Sequence, residues 1–246
     1  MATMRLKSAA AAAVLMVGLA PSLASAASIT ITNTTPTWGS VVGGDNVNTG
    51  RSGSGNNSVY QVFWGDPASF AGQSGLGFNP ANPPSGTYAT DTTFLLGTLY
   101  HYNEPIYGAA SSAQLNLATT VAGAVPTSQT FAYRFDIDET PNVGRASACP
   151  YPSTTACSDK ITFVNLDTSN AFSINGSPYT IQLLGFSTDG GKTVSTSFIS
   201  QEDQTNSAGL YARITAPAAT AVPEPASLLL LGAPLLAFGL LRRQGT

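Results

Sequence analysis

Between residues 28 and 216, hydrophobic positions occur in short runs that alternate with polar positions and end at turn-forming residues. The clearest run is residues 130–139, where Phe131, Tyr133, Phe135 and Ile137 fall on every second position. A period of two predicts a strand with one face toward the core. Similar segments predict further strands. With residues 130–139, the predicted strands are residues 28–33, 59–65, 93–103, 112–123, 160–166, 192–200 and 209–216 and one on either side of Asn175-Gly176.

These segments predict an all-β fold. Asn175-Gly176 is a strong signal for a two-residue hairpin turn, and the interior shows no convincing helical period. Turns recurring between short strands favour a single antiparallel β-sandwich, with jelly-roll and immunoglobulin-like topologies both allowed. The Gly-, Asn- and Ser-rich residues 34–57 and the Gly/Pro/Asn stretch from 66 to about 90 are expected to be loops.

The N-terminus has the pattern of a signal peptide. Arg5 and Lys7 precede an apolar run that ends near Pro21, and Ala24-Ser25-Ala26 forms a small-residue cleavage site. The run is short and alanine-rich for the alternative, a membrane anchor. We therefore expect residues 1–26 to be a signal peptide, removed by signal peptidase.

The C-terminus carries a second hydrophobic segment, at residues 226–241, followed directly by Arg242 and Arg243. This length is slightly short for a transmembrane helix, although flanking residues and a thin bilayer can cover the difference. Basic residues stay on the cytoplasmic side, so this orientation leaves the body of the chain outside the cytoplasm. A Pro/Ala-rich spacer at residues 215–222 separates the tail from a domain at residues 27–214.

Pro223, Glu224 and Pro225, the apolar segment and the Arg pair together resemble the PEP-CTERM sorting signal, here residues 223–246. The resemblance implies that an exosortase, a membrane peptidase, cuts the tail near Pro-Glu-Pro after it has held the precursor briefly in the inner membrane. It also implies a Gram-negative bacterium that makes exopolysaccharide or biofilm, and a mature protein at the cell surface or in the extracellular matrix. The alternative is a permanent C-terminal anchor.

Charge limits the partners of the exported part. Residues 27–222 contain six basic and twelve acidic residues. With no basic patch, nucleic acid is not an expected partner.

The chain has two cysteines, Cys149 and Cys157, in a Pro/Ser/Thr-rich segment. In an exported protein an isolated pair predicts a disulfide, here one that pins a short loop. A metal site is the alternative, but no nearby Cys or His completes a ligand set.

Much of the body also resembles the THxN group of PEP-CTERM proteins, in the segments VFWGDP (62–67), GQSGLGF (72–78), FLLGTLYHYNEPI (94–106) and FDIDETPN (135–142). The signature Thr-His-x-Asn corresponds to residues 100–103, with Tyr100 in place of Thr. His101 and Asn103 are then the family-motif residues. The group carries no assigned chemistry, so the resemblance bears on fold and location.

His101 is the single histidine, and it shares a strand face with Leu99 and Asn103. A structural role, hydrogen bonding to a loop at the strand end, is favoured over ligand contact. Catalysis ranks last because the sequence has no nucleophile-elbow pattern. We expect no enzymatic activity.

Oxygen ligands occur together at Asp136, Asp138 and Glu139, with Asp159 after the cysteine loop. They make Ca²⁺ a candidate ligand, although the spacing differs from an EF-hand loop. The alternative is a solvated strand face without a cofactor.

The expected function is a structural or adhesive role in the cell surface or matrix. The alternative is a carbohydrate-binding module for extracellular polysaccharide, with calcium as a candidate stabilising ion. Candidate sugar-stacking aromatics are Trp38, Trp64, Tyr88, Tyr100, Tyr102, Tyr107 and Tyr151. The favoured alternative is that most of them pack in the core or at strand edges.

Overall fold

The computed structural model describes residues 26–81, 86–142, 145–154, 156–165 and 170–216. Within these ranges the chain is all-β: it forms two large antiparallel sheets and one two-stranded ribbon, with short 3₁₀ turns and no α-helix. Residues 1–25 of the predicted signal peptide, most of the predicted spacer and all of the predicted sorting signal lie outside the described residues. No helix among the described residues is long and apolar enough to cross a membrane.

The first sheet has six strands. In spatial order they are β14 (Ser197–Ser200), β11 (Asp159–Asn165), β10 (Thr127–Asp138), β9 (Ala110–Val121), β1 (Ser28–Gly43) and β6 (Gly86–Ala89).

The second sheet has seven strands. In spatial order they are β12 (Ala171–Ile174), β13 (Ser177–Ser187), β15 (Gln204–Thr215), β7 (Thr93–Asn103), β5 (Ser74–Pro80), β3 (Val59–Trp64) and β2 (Asn48–Ser52). The ribbon pairs β4 (Asp66–Pro67) with β8 (Ile106–Tyr107).

A single apolar core lies between the two sheets. The predicted alternation of β10 is confirmed, because Phe131, Tyr133, Phe135 and Ile137 are all buried. Phe135 faces Phe186 of β13 in the other sheet, with ring centroids 6.3 Å apart. Burying each large apolar side chain stabilises the fold by about 1.5–3 kcal/mol, so this shared core is what holds the sheets together.

The Asn175-Gly176 hairpin is also confirmed. Both residues have positive φ, 50° and 83°, as a type I′ turn requires. They join β12 to β13, whose strands pair from Ile174↔Ser177 outward.

The expectation of a loop over residues 34–57 is wrong. β1 continues to Gly43, and β2 follows within the same range. β1 has register shifts between Thr32 and Thr35 and between Gly39 and Val42, and Asn33 and Ser40 adopt positive φ. These bulges break the period of two, so a strand that is long in space has no alternating pattern in sequence.

The loop expected from residue 66 to about 90 is wrong as well, because it contains β5 and β6. β5 alternates buried residues such as Leu76 and Phe78 with glycines at positions 75 and 77. Glycine is depleted in strands, and this segment therefore resembles a turn in composition.

Candidate functional site

The two motif residues of β7 point into the core. His101 and Asn103 are fully buried, as is Leu99 on the same face. Asn103 Nδ2 donates to the carbonyl of Ser200 at the end of β14, 3.0 Å away. Asn103 therefore ties the second sheet to an edge strand of the first, which is the structural role expected at a strand end.

The hydrogen bond predicted for His101 at the strand end is wrong, because neither ring nitrogen has a partner among the described residues. Burial lowers its pKa from 6.5 to about 3, since a charged imidazole would lose its hydration there. At neutral pH the ring is an uncharged core side chain.

The three candidate calcium ligands are divided between two environments. Asp136 lies on the outward face of β10 and forms an ion pair with Arg134, Nε to Oδ1 2.8 Å. Asp138 is exposed and accepts a hydrogen bond from the Tyr151 hydroxyl. Glu139 lies past the end of β10 and is largely buried beside Asp159.

Glu139 and Asp159 form a pair of neighbouring carboxyl groups, each close enough to shift the pKa of the other. Asp159 is fully buried, and its Oδ1 accepts from the Thr140 N–H at 2.8 Å. Asp159 Oδ2 and both Glu139 oxygens lack a donor among the described residues. Two neighbouring buried carboxylates repel each other, so the pair is favoured when one of them holds a proton.

Glu139 is the residue that keeps this proton. Burial raises its pKa strongly, and the charges of Asp159 and Glu202 raise it further. Burial also raises the pKa of Asp159, but the Thr140 backbone and side-chain donors partly offset the effect. The negative charge of the pair therefore lies on Asp159, which accepts hydrogen bonds from the Thr140 N–H and hydroxyl.

Glu202 completes this acidic cluster from the turn between β14 and β15, with a side chain only 2% exposed. In its hydrogen-bonded orientation, Asn142 Nδ2 donates to both Glu202 oxygens, at 3.0 and 3.2 Å. Burial, followed by the charges of Asp159, Glu104 and Asp203, raises the pKa of Glu202 to about 7.

Over the described part of the chain, no group of three or more His, Cys, Asp or Glu side chains has the geometry to hold a metal ion. The acidic cluster of Glu139, Asp159 and Glu202 can retain a proton near neutral pH. It lies at the base of the cysteine loop, where Cys149 and Cys157 lie at disulfide distance with Cα atoms 5.1 Å apart.

A second candidate site is a groove on the outer face of the seven-stranded sheet. Its volume is about 450 Å³, and its lining consists of Phe63, Ala71, Gln73, Tyr102, Glu104 and Thr205. A pocket of this size falls within the range that holds small ligands.

Strand register builds the groove. Phe63 on β3 pairs with Gly75 on β5, Gly75 pairs with Tyr102 on β7, and Tyr102 pairs with Thr205 on β15. These four residues therefore form one row across four strands, on the face opposite His101. Gln73, fixed by hydrogen bonds to the Gly65 carbonyl (2.9 Å) and from Asn48 (2.6 Å), closes one end.

The aromatic residues considered from sequence are mostly not in this groove. Trp38 and Trp64 belong to the core, and Tyr88 stacks on Phe94 with ring centroids 4.0 Å apart. Tyr102 is the one that lines the groove, and its partner Phe63 was not among the candidates. Glu202 was not predicted either, whereas the expected proximity of Asp159 to Glu139 is observed.

No protein-family model matches this chain, and no curated protein matches it.

Proposed function

We propose that this chain is an exported, exosortase-sorted protein that serves as a structural or adhesive component of the cell surface or extracellular matrix. In this proposal residues 27–214 form a single β-sandwich domain of jelly-roll or immunoglobulin-like type. The tail at residues 223–246, with its helix at 226–241, is a sorting signal that is cut off.

The observation that carries the proposal is the disulfide-distance pair Cys149 and Cys157. Disulfides persist in oxidising compartments outside the cytoplasm, which agrees with a signal peptide ahead of the domain. The apolar core shared by the two sheets supports a single sandwich.

A non-enzymatic role is supported by the position of His101. General acid–base catalysis needs a group that reaches the substrate and titrates near the working pH. His101 is fully buried and its pKa is lowered to about 3, so it is poorly suited to that task.

Mass spectrometry of the mature protein from the producing bacterium tests the sorting proposal. We expect an N-terminus at Ala27, a C-terminus close to Pro223–Pro225, and recovery from the surface or matrix fraction. A mature chain that still carries Arg242 and Arg243 would contradict sorting and favour a permanent anchor.

The second candidate function is binding of extracellular polysaccharide. The groove that contains Phe63 and Tyr102 favours it, because it combines aromatic rings with polar groups on an open sheet face.

A further inference from the structure

We propose that the groove on the outer face of the seven-stranded sheet binds an uncharged saccharide chain, with Phe63 and Tyr102 as its stacking residues. This inference names the class of ligand for the second candidate function. It rests on the surface role proposed above, because only a protein outside the cytoplasm would meet extracellular polysaccharide.

The two rings lie over a strip of bare backbone. A Cβ built on Gly75 would be 2.6 Å from Phe63 Cδ1, and one built on Gly77 would be 3.0 Å from the Tyr102 hydroxyl oxygen. The glycines of β5 therefore make room for the rings to lean across the strand. Glycine inside a strand often marks a place where another group approaches the backbone closely.

Part of each of these two side chains remains accessible to solvent. Phe63 and Tyr102 are both half-buried, with centroids 5.3 Å apart and planes tilted by 41°. They form a shallow angled surface of apolar character. The C–H face of a pyranose is apolar too, and adjacent sugar units of a bent chain can each cover one ring.

Polar groups for sugar hydroxyls lie beside the rings. Gln61 Nε2 donates to the Tyr102 hydroxyl oxygen at 2.8 Å, which leaves the hydroxyl hydrogen free to be donated to a ligand. Thr205 adds an exposed hydroxyl in the same row. A few fixed polar groups around an apolar surface are the usual composition of a small-ligand site.

The charge of the groove excludes acidic sugars. Glu104 is its one charged lining residue, and Asp203 lies close enough to raise the pKa of Glu104 after the larger effect of burial. No basic side chain lines the groove. A uronic acid or sulfated chain would meet like charge without a compensating cation, so an uncharged chain fits best.

The test uses the full chain, purified in a detergent without a sugar headgroup. Isothermal titration with neutral pentasaccharides (cello-, laminari- and mannopentaose) and with an oligouronate measures binding directly. We expect saturable binding of at least one neutral chain and none of the oligouronate. Phe63→Ala and Tyr102→Ala should each weaken binding about tenfold or more, as loss of a central aromatic anchor does.

Tyr107→Ala is the matched control, because Tyr107 is 71% exposed but lies outside the groove. It should leave the affinity unchanged. Circular dichroism and melting curves separate lost binding from lost folding, and Tyr102→Phe provides a milder variant that retains the ring. Absence of neutral-saccharide binding, or equal losses in the Tyr107 and Tyr102 variants, overturns the inference.

These results do not depend on how the termini are processed. A mature protein with the expected ends but no saccharide binding would refute the groove and leave the surface role standing. Saccharide binding by a chain that keeps its tail would refute sorting and leave the groove standing.

Discussion

Replacing Glu202 by glutamine is expected to stabilise the protein above neutral pH. Glu202 is almost completely buried, near Asp159, Glu104 and Asp203, and its pKa is raised from 4.5 to about 7, first by burial and then by those charges. A carboxyl with a raised pKa holds its proton more tightly in the folded state than in the unfolded state.

The sign of the pH dependence follows from this difference. Below pH 4.5 Glu202 is protonated in both the folded and the unfolded state, so its ionisation takes no stability from the fold. As pH rises from 4.5 through about 7, the unfolded chain releases the proton first, and stability is lost across that window. The full cost is present above it.

The size of the effect comes from the two pKa values. The interval from 4.5 to about 7 corresponds to about 3 kcal/mol. The Asn142 amide donates to both carboxylate oxygens and favours the charged form, which reduces the cost. Glutamine keeps one acceptor for Asn142 and carries no charge, so we expect a gain of about 1–3 kcal/mol at pH 8.

Urea denaturation and thermal melting at about pH 4.5 and pH 8 measure this gain, with about 2–4 °C in Tm expected per kcal/mol. The variant and the wild type should differ little at the lower pH. Asp91→Asn is the control, since Asp91 is exposed in a turn at φ 62° that asparagine also adopts. A Glu202→Gln protein that is no more stable than wild type at pH 8 would refute the reasoning.

Three further predictions concern the motif strand and the cysteine loop. His101→Ala should lose about 2–4 kcal/mol of unfolding free energy in urea through the cavity it leaves, whereas His101→Leu should cost less than about 1.5 kcal/mol. The leucine variant should also remove the His101 contribution to the pH dependence, which lowers wild-type stability as pH falls from 6.5 toward about 3 and opposes the contribution of Glu202. Larger damage from leucine than from alanine would contradict this. Asn103→Ala should cost about 1–3 kcal/mol because the Ser200 carbonyl loses its donor, and an unchanged Tm would speak against that contact. Removing the Cys149–Cys157 disulfide by the double change Cys149→Ser and Cys157→Ser should lower the unfolding free energy by about 2–3 kcal/mol and speed hydrogen exchange mainly in the loop between the two cysteines. Faster exchange throughout the domain would contradict this local role.

Local patterns allowed most of the strands to be predicted. The alternation of residues 130–139 and the Asn175-Gly176 turn each involve neighbouring residues, and both correspond to observed elements. The part of β1 after residue 33 could not be predicted, because its bulges at Asn33 and Ser40 remove the alternation of apolar and polar residues on which the prediction depends.

The sites were less predictable because they depend on contacts between distant segments. Asp159 follows the cysteine loop that starts after Glu139, so their proximity could be inferred from the loop. Glu202 reaches the same cluster only because β14 pairs with β11. The pairing of Phe63 with Tyr102 likewise depends on β5 lying between β3 and β7, and strand order has no local sequence signal.

The lengths of the outermost strands affect how this protein can associate with copies of itself. In the two described sheets the outer strands β14, β6 and β12 have four residues each and β2 has five, whereas β1 has sixteen. A short edge offers few unpaired backbone groups to an incoming strand. Strand addition, as in amyloid, is therefore disfavoured at these four strands. Contacts between copies of this protein would instead use the faces of its sheets or the part of β1 beyond Ile31, which pairs with β9 alone among the described residues.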